Sequence, residues 1–402
     1  MKILFHHRTM GRGAEGVHIS SLVTAFKALG NGVQIISPPN VDPLRDAGST
    51  VFQVMSASAD HESFIGSNLK KLSRSVPQFV FEILEILYNL YAWLNIFKSI
   101  RRHSPDIFYE RYAFFSFAGI FLARKKAIPS ILEVNEISGL KRFRGQTFIR
   151  LASWIETMIF HNADLIVVVS SFLKKKIMKK GISPEKIVVL PNGVDLEKFK
   201  ELTCSEDIDA IRERYHIVKT DLVFGFVGWF ADWDRLDKLV GIIGELSSEI
   251  PNIKLMLVGD GYVRSFLEKK IDELELRGKV IITGAVAREE VQNYIHVVDI
   301  GVFPHSNLFG SPIAMFEFMA AGKPVIAPEL DPITDVITDG VNGLIFPCGD
   351  FNSLLELMRK LIFDKSLREK LGKHARQEIR DKHTWIKKGQ TVIKIAGQLQ
   401  LK

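Results

Sequence analysis

Cysteine is almost absent from this 402-residue chain, which holds only Cys204 and Cys348. Disulfides can therefore hold little of the fold, and a reducing cytosol is the simplest compartment. The chain also lacks low-complexity tracts and short-period repeats. Its first apolar segment, Met1–Phe5, runs straight into His6, His7 and Arg8. That is too short for a signal peptide, so the fold is expected to begin with the sequence. What is present is ordinary globular material, 47% hydrophobic and 25% charged, which excludes a disordered chain, a collagenous fibre and a disulfide scaffold. At roughly 100–200 residues per domain, the length suggests two domains or one large one.

Uninterrupted apolar runs are scarce as well, and one segment needs a membrane test. Residues 76–97 are rich in Phe, Ile, Leu and Tyr, and this length could span a bilayer. The segment carries Glu82, Glu85, Asn89 and Asn95, however, and a carboxylate at the bilayer centre costs ~2.5–3.5 kcal/mol. Leu84, Leu87, Tyr91 and Leu94 recur at helical spacing. An amphipathic helix is expected, with its apolar face on either protein core or lipid surface.

Charge is unevenly placed. The chain has 53 Lys and Arg against 46 Asp and Glu, a balance of +7. Residues 1–195 hold 25 basic against 15 acidic residues, or +10, which leaves −3 for the rest. Basic clusters recur at Lys70-Lys71 with Arg74, Arg101-Arg102, Arg124-Lys125-Lys126, Lys141-Arg142 with Arg144, and Lys174-Lys175-Lys176. Confined to one half, they imply a polyanionic partner. No nucleic-acid module is recognisable and aromatics do not interleave with the basic runs, so nucleic acid is not expected. An anionic membrane surface fits better, at ~1 kcal/mol per basic residue near it.

Short apolar runs alternate with helical patterns, which implies parallel, doubly wound sheets. Strands are expected at 2–5, 33–37, 107–109, 130–134, 165–169 and 187–190. A polar stretch over 196–221 interrupts the rhythm. It resumes with strands at 222–227, 254–258, 280–283, 300–303 and 324–327. Two similar α/β halves follow, with domains at 1–200 and 201–382 and a terminal helix at 383–402 centred on Trp385. A ligand should face the carboxyl ends of the strands.

Gly11, Gly13 and Gly16 spell G-x-G-x-x-G just after the first strand. A dinucleotide site would also want an acidic residue closing the second strand, which instead ends Ile35-Ile36-Ser37-Pro38-Pro39. Glu15 would moreover sit inside the glycine turn. A glycine loop facing another ligand, or a plain tight turn, are the alternatives.

Residues 304–328 read PHSNLFGSPIAMFEFMAAGKPVIAP. A glycine-containing loop here leads into a helix starting near Pro312 and stopping at Gly322. Backbone N–H groups of residues 310–314 would form an anion site at that helix start. Glu317 lies about one and a half turns in, amid Met315, Phe316, Phe318 and Met319. An unpaired buried carboxylate costs several kcal/mol, so Glu317 is expected either to accept bonds from ligand hydroxyls or to pair with a local cation such as Lys323.

At this point the chain resembles glycosyltransferase family 4, the retaining nucleotide-sugar transferases of GT-B architecture. Pro191-Asn192-Gly193-Val194-Asp195 with Phe199, Phe226-Val227-Gly228, and Leu257-Val258-Gly259-Asp260-Gly261 carry the likeness. So do Gly284 with Val286, Asp299, the run from Glu317 to Val325, Asp335-Val336-Ile337, Asp339-Gly340 and Asn342-Gly343-Leu344. The resemblance implies two Rossmann-like domains and a terminal helix crossing back to the first. It implies a sugar transferase of the hexosyl type, acting on a glycan or lipid-linked acceptor in cell-surface polysaccharide synthesis. By it, Glu317 holds the donor's ribose, Gly310, Ser311, Pro312 and Ile313 receive the diphosphate, and Gly228 and Gly259 belong to the donor site. Gly13 and Gly16 would close over the phosphates or the acceptor. The departing phosphate is thought to deprotonate the acceptor, so no metal or other cofactor is implied. No metal-ligand spacing occurs either, since His6-His7 is adjacent and His161 and His296 are isolated.

Several family positions differ. Of two glutamates usually eight residues apart, the earlier is Phe309. The usual diphosphate-clamping Arg and Lys become Trp229 and Asp234, with Arg235 next door as a substitute. Ala314 replaces the lysine of a related S-P-x-K-x-F-E subgroup. The histidine expected after residues 130–134 is Asn135, followed by Glu136, and these two are the first domain's catalytic candidates. The alternatives to a transferase are a GT-B nucleotide-sugar epimerase and a non-catalytic partner subunit.

Overall fold

A computed structural model describes residues 1–10, 13–46, 77–140, 145–199 and 206–401. Gly11, Lys70, Lys71, Arg74, Lys141, Arg142, Arg144 and Cys204, all named above, lie outside these residues. The described chain divides into two compact units, one of residues 1–191 with 385–401, the other from Asn192 to Thr384.

The first unit is a six-stranded parallel sheet of β1 (Lys2–His6), β2 (Gly32–Ile36), β3 (Ile107–Arg111), β4 (Ser130–Val134), β5 (Leu165–Val168) and β6 (Ile187–Val189), in the order β2-β1-β3-β4-β5-β6. Strands β3 and β4 are buried throughout, as in a sheet covered on both faces, and they bury Glu110, Arg111 and Glu133 near their carboxyl ends along with their apolar residues. Helix α1 (Gly13–Ala28) packs against α13, the terminal helix Trp385–Gln400. Gly389 permits the close approach, since a Cβ there would lie 3.2 Å from both Ala25 Cβ and Leu29 Cδ1.

The expected apolar helix is α2 (Gln78–His103); its second half buries Ala92, Ile96 and Ile100, but its first half is turned inside out. Glu82, Tyr88 and Asn89 are buried, whereas Phe79, Ile83, Leu84, Leu87, Leu90 and Leu94 are exposed. Polar bonds explain the orientation. Asn89 Oδ1 accepts from the Phe117 and Ala118 N–H groups, its Nδ2 donates to Phe115 O at 2.7 Å, and Glu82 accepts from the Thr147 and Phe148 N–H groups. By length and composition alone α2 could cross a membrane. The core alternative fails for Leu84, Leu87 and Leu94, because unpartnered amides and carboxylates cost more inside than leucines cost outside.

The second unit is a parallel sheet of β7 (Leu222–Val227), β8 (Ile253–Val258), β9 (Val280–Ile282), β10 (Ile300–Val302), β11 (Val325–Pro328) and β12 (Leu344–Phe346), ordered β12-β11-β10-β7-β8-β9. Its strand order reverses between β10 and β7, a ligand-binding point in such sheets. Helix α10 (Ile313–Ala320) lies on the sheet through Phe318, whose ring fills the space a Cβ on Gly301 would need. The polar stretch 196–221 is not all irregular: Glu206–Arg214 is helical and buries Ile211. Strand β12, absent from the expected set, follows an Asn342-Gly343 turn.

Candidate active site

In the second unit, the loops after β7, β8 and β9 meet backbone to backbone. The Gly228 N–H donates to Val258 O at 3.0 Å, and the Gly259 N–H to Gly284 O at 3.2 Å. Gly259 has φ +136°, and a Cβ there would fall 2.0 Å from Gly228 O. Neither the dihedral nor the contact admits another residue, so these glycines bring three strand ends together.

The loop before α10 is tied from a distance. The Asn192 N–H donates to Ser311 Oγ at 3.1 Å and Asn192 Nδ2 to Ser311 O at 2.8 Å. The Pro-Asn-Gly motif thus fixes the start of α10, with Pro312 as its N-cap residue and Ile313 its first. The expected anion site is narrower than residues 310–314. Gly310 and Phe309 N–H groups donate to Asn307 Oδ1, and Pro312 has no N–H.

Glu317 is buried, but Arg288 pairs with it through Nη2. Burial opposes the charge on Arg288, and the Glu317 carboxylate outweighs it, so the guanidinium pKa is raised. Of the two expectations for Glu317, pairing is what the structure records, with a different partner from the one named. Lys323 instead donates to His296 O at 3.0 Å. Arg288 was missed because it lies in the loop after β9, 29 residues away, with no motif around it.

Arg235 has φ +51° and donates through Nε and Nη2 to Asp237 Oδ1 and Oδ2 at 3.0 and 3.2 Å. Its guanidinium lies over the Phe351 ring, 5.4 Å from the centroid. Asp234, in the place of the family's lysine, is buried and accepts from the Ala231 N–H at 3.0 Å. Burial pushes its carboxyl pKa up to about 7. Arg264, not foreseen, is held by Asp260 at 3.1 Å and Glu268 at 2.8 Å, beside Gly284.

The first unit gathers charge at the carboxyl ends of β1, β3 and β4. Gly13 has φ +65° and opens α1, while Gly16 and Glu15 belong to that helix. The expectation that Glu15 sits inside a glycine turn is therefore corrected: it is an exposed residue of the first helical turn, where a carboxylate suits the macrodipole. On one sheet face, His6 Nδ1 is 2.7 Å from Glu110 Oε1, which also accepts from Ser116 Oγ. On the other, the buried Glu133 carboxylate is 2.7 Å from His18 Nε2 and 3.0 Å from Lys388 Nζ of α13. Burial works against the charge on Glu133, and His18 and Lys388 outweigh it, holding the carboxyl well below the usual range. Burial lowers the His18 pKa to about 4. Asn135 and Glu136 follow β4 half-buried, and the Asn135 Nδ2 atom is buried without a hydrogen-bond partner among the described residues.

Two six-stranded, doubly wound α/β sheets of this kind are the architecture of the GT-B class. The family description "Glycosyltransferase Family 4" matches residues 15–198, and "Glycosyl transferases group 1" matches residues 207–378. The chain belongs to the family 4 glycosyltransferases, enzymes that transfer sugars from nucleotide donors. It is 26% identical over 373 residues to a GDP-mannose-dependent alpha-mannosyltransferase of Corynebacterium glutamicum, covering 92% of this chain and 86% of that one. It is 28% identical over 261 residues to the capsular polysaccharide biosynthesis glycosyltransferase CapM of Staphylococcus aureus, covering 62% and 64%. Among solved structures, Anabaena Alr3699/HepE in complex with UDP shares the fold with a TM-score of 0.71 at 16% identity, covering 99% of this chain and 100% of that one.

Proposed function

We propose that this enzyme transfers a sugar, with retained configuration, from a nucleoside-diphosphate donor to a glycan or lipid-linked acceptor in cell-surface polysaccharide synthesis. The observation that carries the proposal is the second unit's strand-end site. Gly228, Gly259 and Gly284 bring bare backbone to the end of β7, beside a short loop that Asn192 ties to the start of α10. Glu317 waits one and a half turns inside, oriented by Arg288. Bare backbone suits close approach of a pyrophosphate, and a fixed carboxylate suits the paired hydroxyls of a ribose.

In the reaction, the bond from the sugar's anomeric carbon to the β-phosphate oxygen breaks. A bond to the acceptor oxygen forms on the same face, and the acceptor's proton passes to the departing phosphate. The protein's share is positioning and charge stabilisation, with no metal or cofactor invoked. Relatives support the substrate classes: CapM serves capsular polysaccharide, and an alpha-monoglucosyldiacylglycerol synthase of Acholeplasma laidlawii is 25% identical over 264 residues. HepE has also been solved with UDP-glucose.

The enzyme is further proposed to work in the cytoplasm, attached peripherally to an anionic membrane through its first unit. The +10 balance of residues 1–195 and the exposed leucines of α2 support this. The test of the transferase proposal is donor hydrolysis across UDP-, GDP- and ADP-sugars. Turnover of one of them is expected, and silence with all would refute it.

A further inference from the structure

Arg111, the last residue of β3, is a buried charge whose side chain lacks a partner among the described residues. It is 8% exposed, yet its side chain makes no hydrogen bond or ion pair with any described residue, and its Nη1 atom is buried. A guanidinium carries five donors and cannot discard its charge, so burying it unpaired is costly. Such a group persists in a fold where something outside the chain completes it.

Its surroundings say what that partner is. Residues alternate across a strand, so Arg111 shares a sheet face with Tyr109, which stacks on Phe5 at 5.0 Å beneath α1. Its register partner on β4 is Glu133. That carboxylate is already engaged by His18 at 2.7 Å and Lys388 at 3.0 Å. His7, one pleat beyond Phe5, is held at 2.8 Å by Ser37 Oγ, and burial lowers its pKa to about 3, with His6 and Arg111 reinforcing the shift. Both histidines on this face are neutral at pH 7, which leaves two cations, Arg111 and Lys388, against one carboxylate. Among the described residues, the buried cluster is one negative charge short. Asn135, one pleat beyond Glu133 on the adjoining strand end, carries a second buried donor without a partner.

Position agrees with charge. The strand order β2-β1-β3 reverses between β1 and β3, and Arg111 closes β3 at that reversal. The donor, on the function proposed above, is held by the second unit, so an anion here belongs to the other substrate.

We propose that Arg111 is an oxyanion-recognising residue of the acceptor site, so that the acceptor carries a phosphate or a carboxylate. The guanidinium fork takes two oxygens of that group, with Asn135 Nδ2 as an additional donor. This rests on the transferase function but is tested apart from it.

The experiment is thermal unfolding of the full chain with a saturating nucleoside diphosphate, titrated separately with inorganic phosphate, glycerol phosphate and glucuronate. In the wild type, the phosphates or glucuronate raise the midpoint saturably, and which of them acts distinguishes a phosphorylated from a uronate acceptor. Arg111→Gln should keep or raise the anion-free midpoint and require at least ~10-fold more anion for the same shift. Arg111→Lys, which keeps the charge without the fork, should fall between the two and covers the case where the glutamine variant does not fold. A wild type indifferent to all three anions overturns the proposal, as does an unchanged response in Arg111→Gln. Weakened nucleoside diphosphate binding in Arg111→Gln would make the anion the donor's own and also overturn it. A failure of the transferase function would show instead as no stabilisation by any nucleoside diphosphate.

Discussion

Lys388→Met should loosen the terminal helix from the first unit. Lys388 Nζ is 3.0 Å from a carboxylate with no exposed surface, and Lys388 itself is 4% exposed. Methionine keeps the stem and removes only the charge, stranding Glu133 in the interior. Breaking a buried pair in this way costs about 3–5 kcal/mol. His18 remains as a second partner for Glu133, which places the expectation at the lower end, about 3 kcal/mol. Glu133→Gln should cost a similar amount by stranding Lys388. The double variant should recover most of the loss, because neither partner of this pair is then left without the other. Hydrogen exchange over Trp385–Gln400 is the assay, since opening of this helix is the affected step. A 3 kcal/mol loss is a fall in protection of roughly 10²-fold. Protection within twofold of wild type in Lys388→Met, or additive losses in the double variant, would refute the coupling.

Glu317→Gln should lower kcat/KM at least tenfold, since losing a charged acceptor costs ~1.5–3 kcal/mol and ~1.4 is a factor of ten; wild-type kinetics would leave Glu317 a purely structural partner of Arg288. Arg235→Ala should weaken binding of a nucleoside diphosphate far more than of the nucleoside by titration calorimetry, whereas equal weakening would exclude a phosphate role. His18 is neutral in the fold down to about pH 4 but takes a proton near 6.5 when unfolded, so stability falls as pH drops from 6.5 towards 4, and His18→Asn should flatten that slope in unfolding midpoints. Asp234 has the opposite sign: its pKa is raised from 3.8 to about 7, the fold binds the extra proton in that window, and stability falls as pH rises through it unless the residue is Asn. The wild type should co-sediment with vesicles of anionic lipid at low salt and not at high salt, and Arg101→Glu with Arg102→Glu should release it; a wild type left in the supernatant at low salt removes the membrane proposal.

The strands were legible because parallel strands covered on both faces are largely apolar, and residues 107–109 of β3, Ile131 and Leu132 of β4 and residues 255–258 of β8 are. The helix at Ile313–Ala320 was legible for a similar reason, with a loop, a proline and Gly322 marking its ends. What the sequence hid was pairing. Arg288 reaches Glu317 across 29 residues, His18 reaches Glu133 across 115, and His6 reaches Glu110 across 104. None of these distances leaves a periodic trace, so each carboxylate could be flagged as costly but not given its partner. Helix α2 misled for a related reason. Its spacing reports that one side is apolar, while Asn89 and Glu82 decide which side faces in, through backbone groups that only the fold supplies.

These pairings bear on how a donor could be held without the family's usual clamp. Three arginines of the second unit already have carboxylates: Arg235 has Asp237, Arg264 has Asp260 and Glu268, and Arg288 has Glu317. A diphosphate that uses one of these three must draw it out of its pair. The Arg235 pair is the one best placed to exchange. Its side chain is 39% exposed, so screening makes the bond to Asp237 worth little, and Phe351 supports the guanidinium from below. Arg288 is the opposite case, since withdrawing it would strand the buried Glu317 carboxylate. On the proposed function, the missing clamp is thus best replaced at the surface, by the cation whose present partner costs least to leave, while Arg288 stays to hold Glu317 in place.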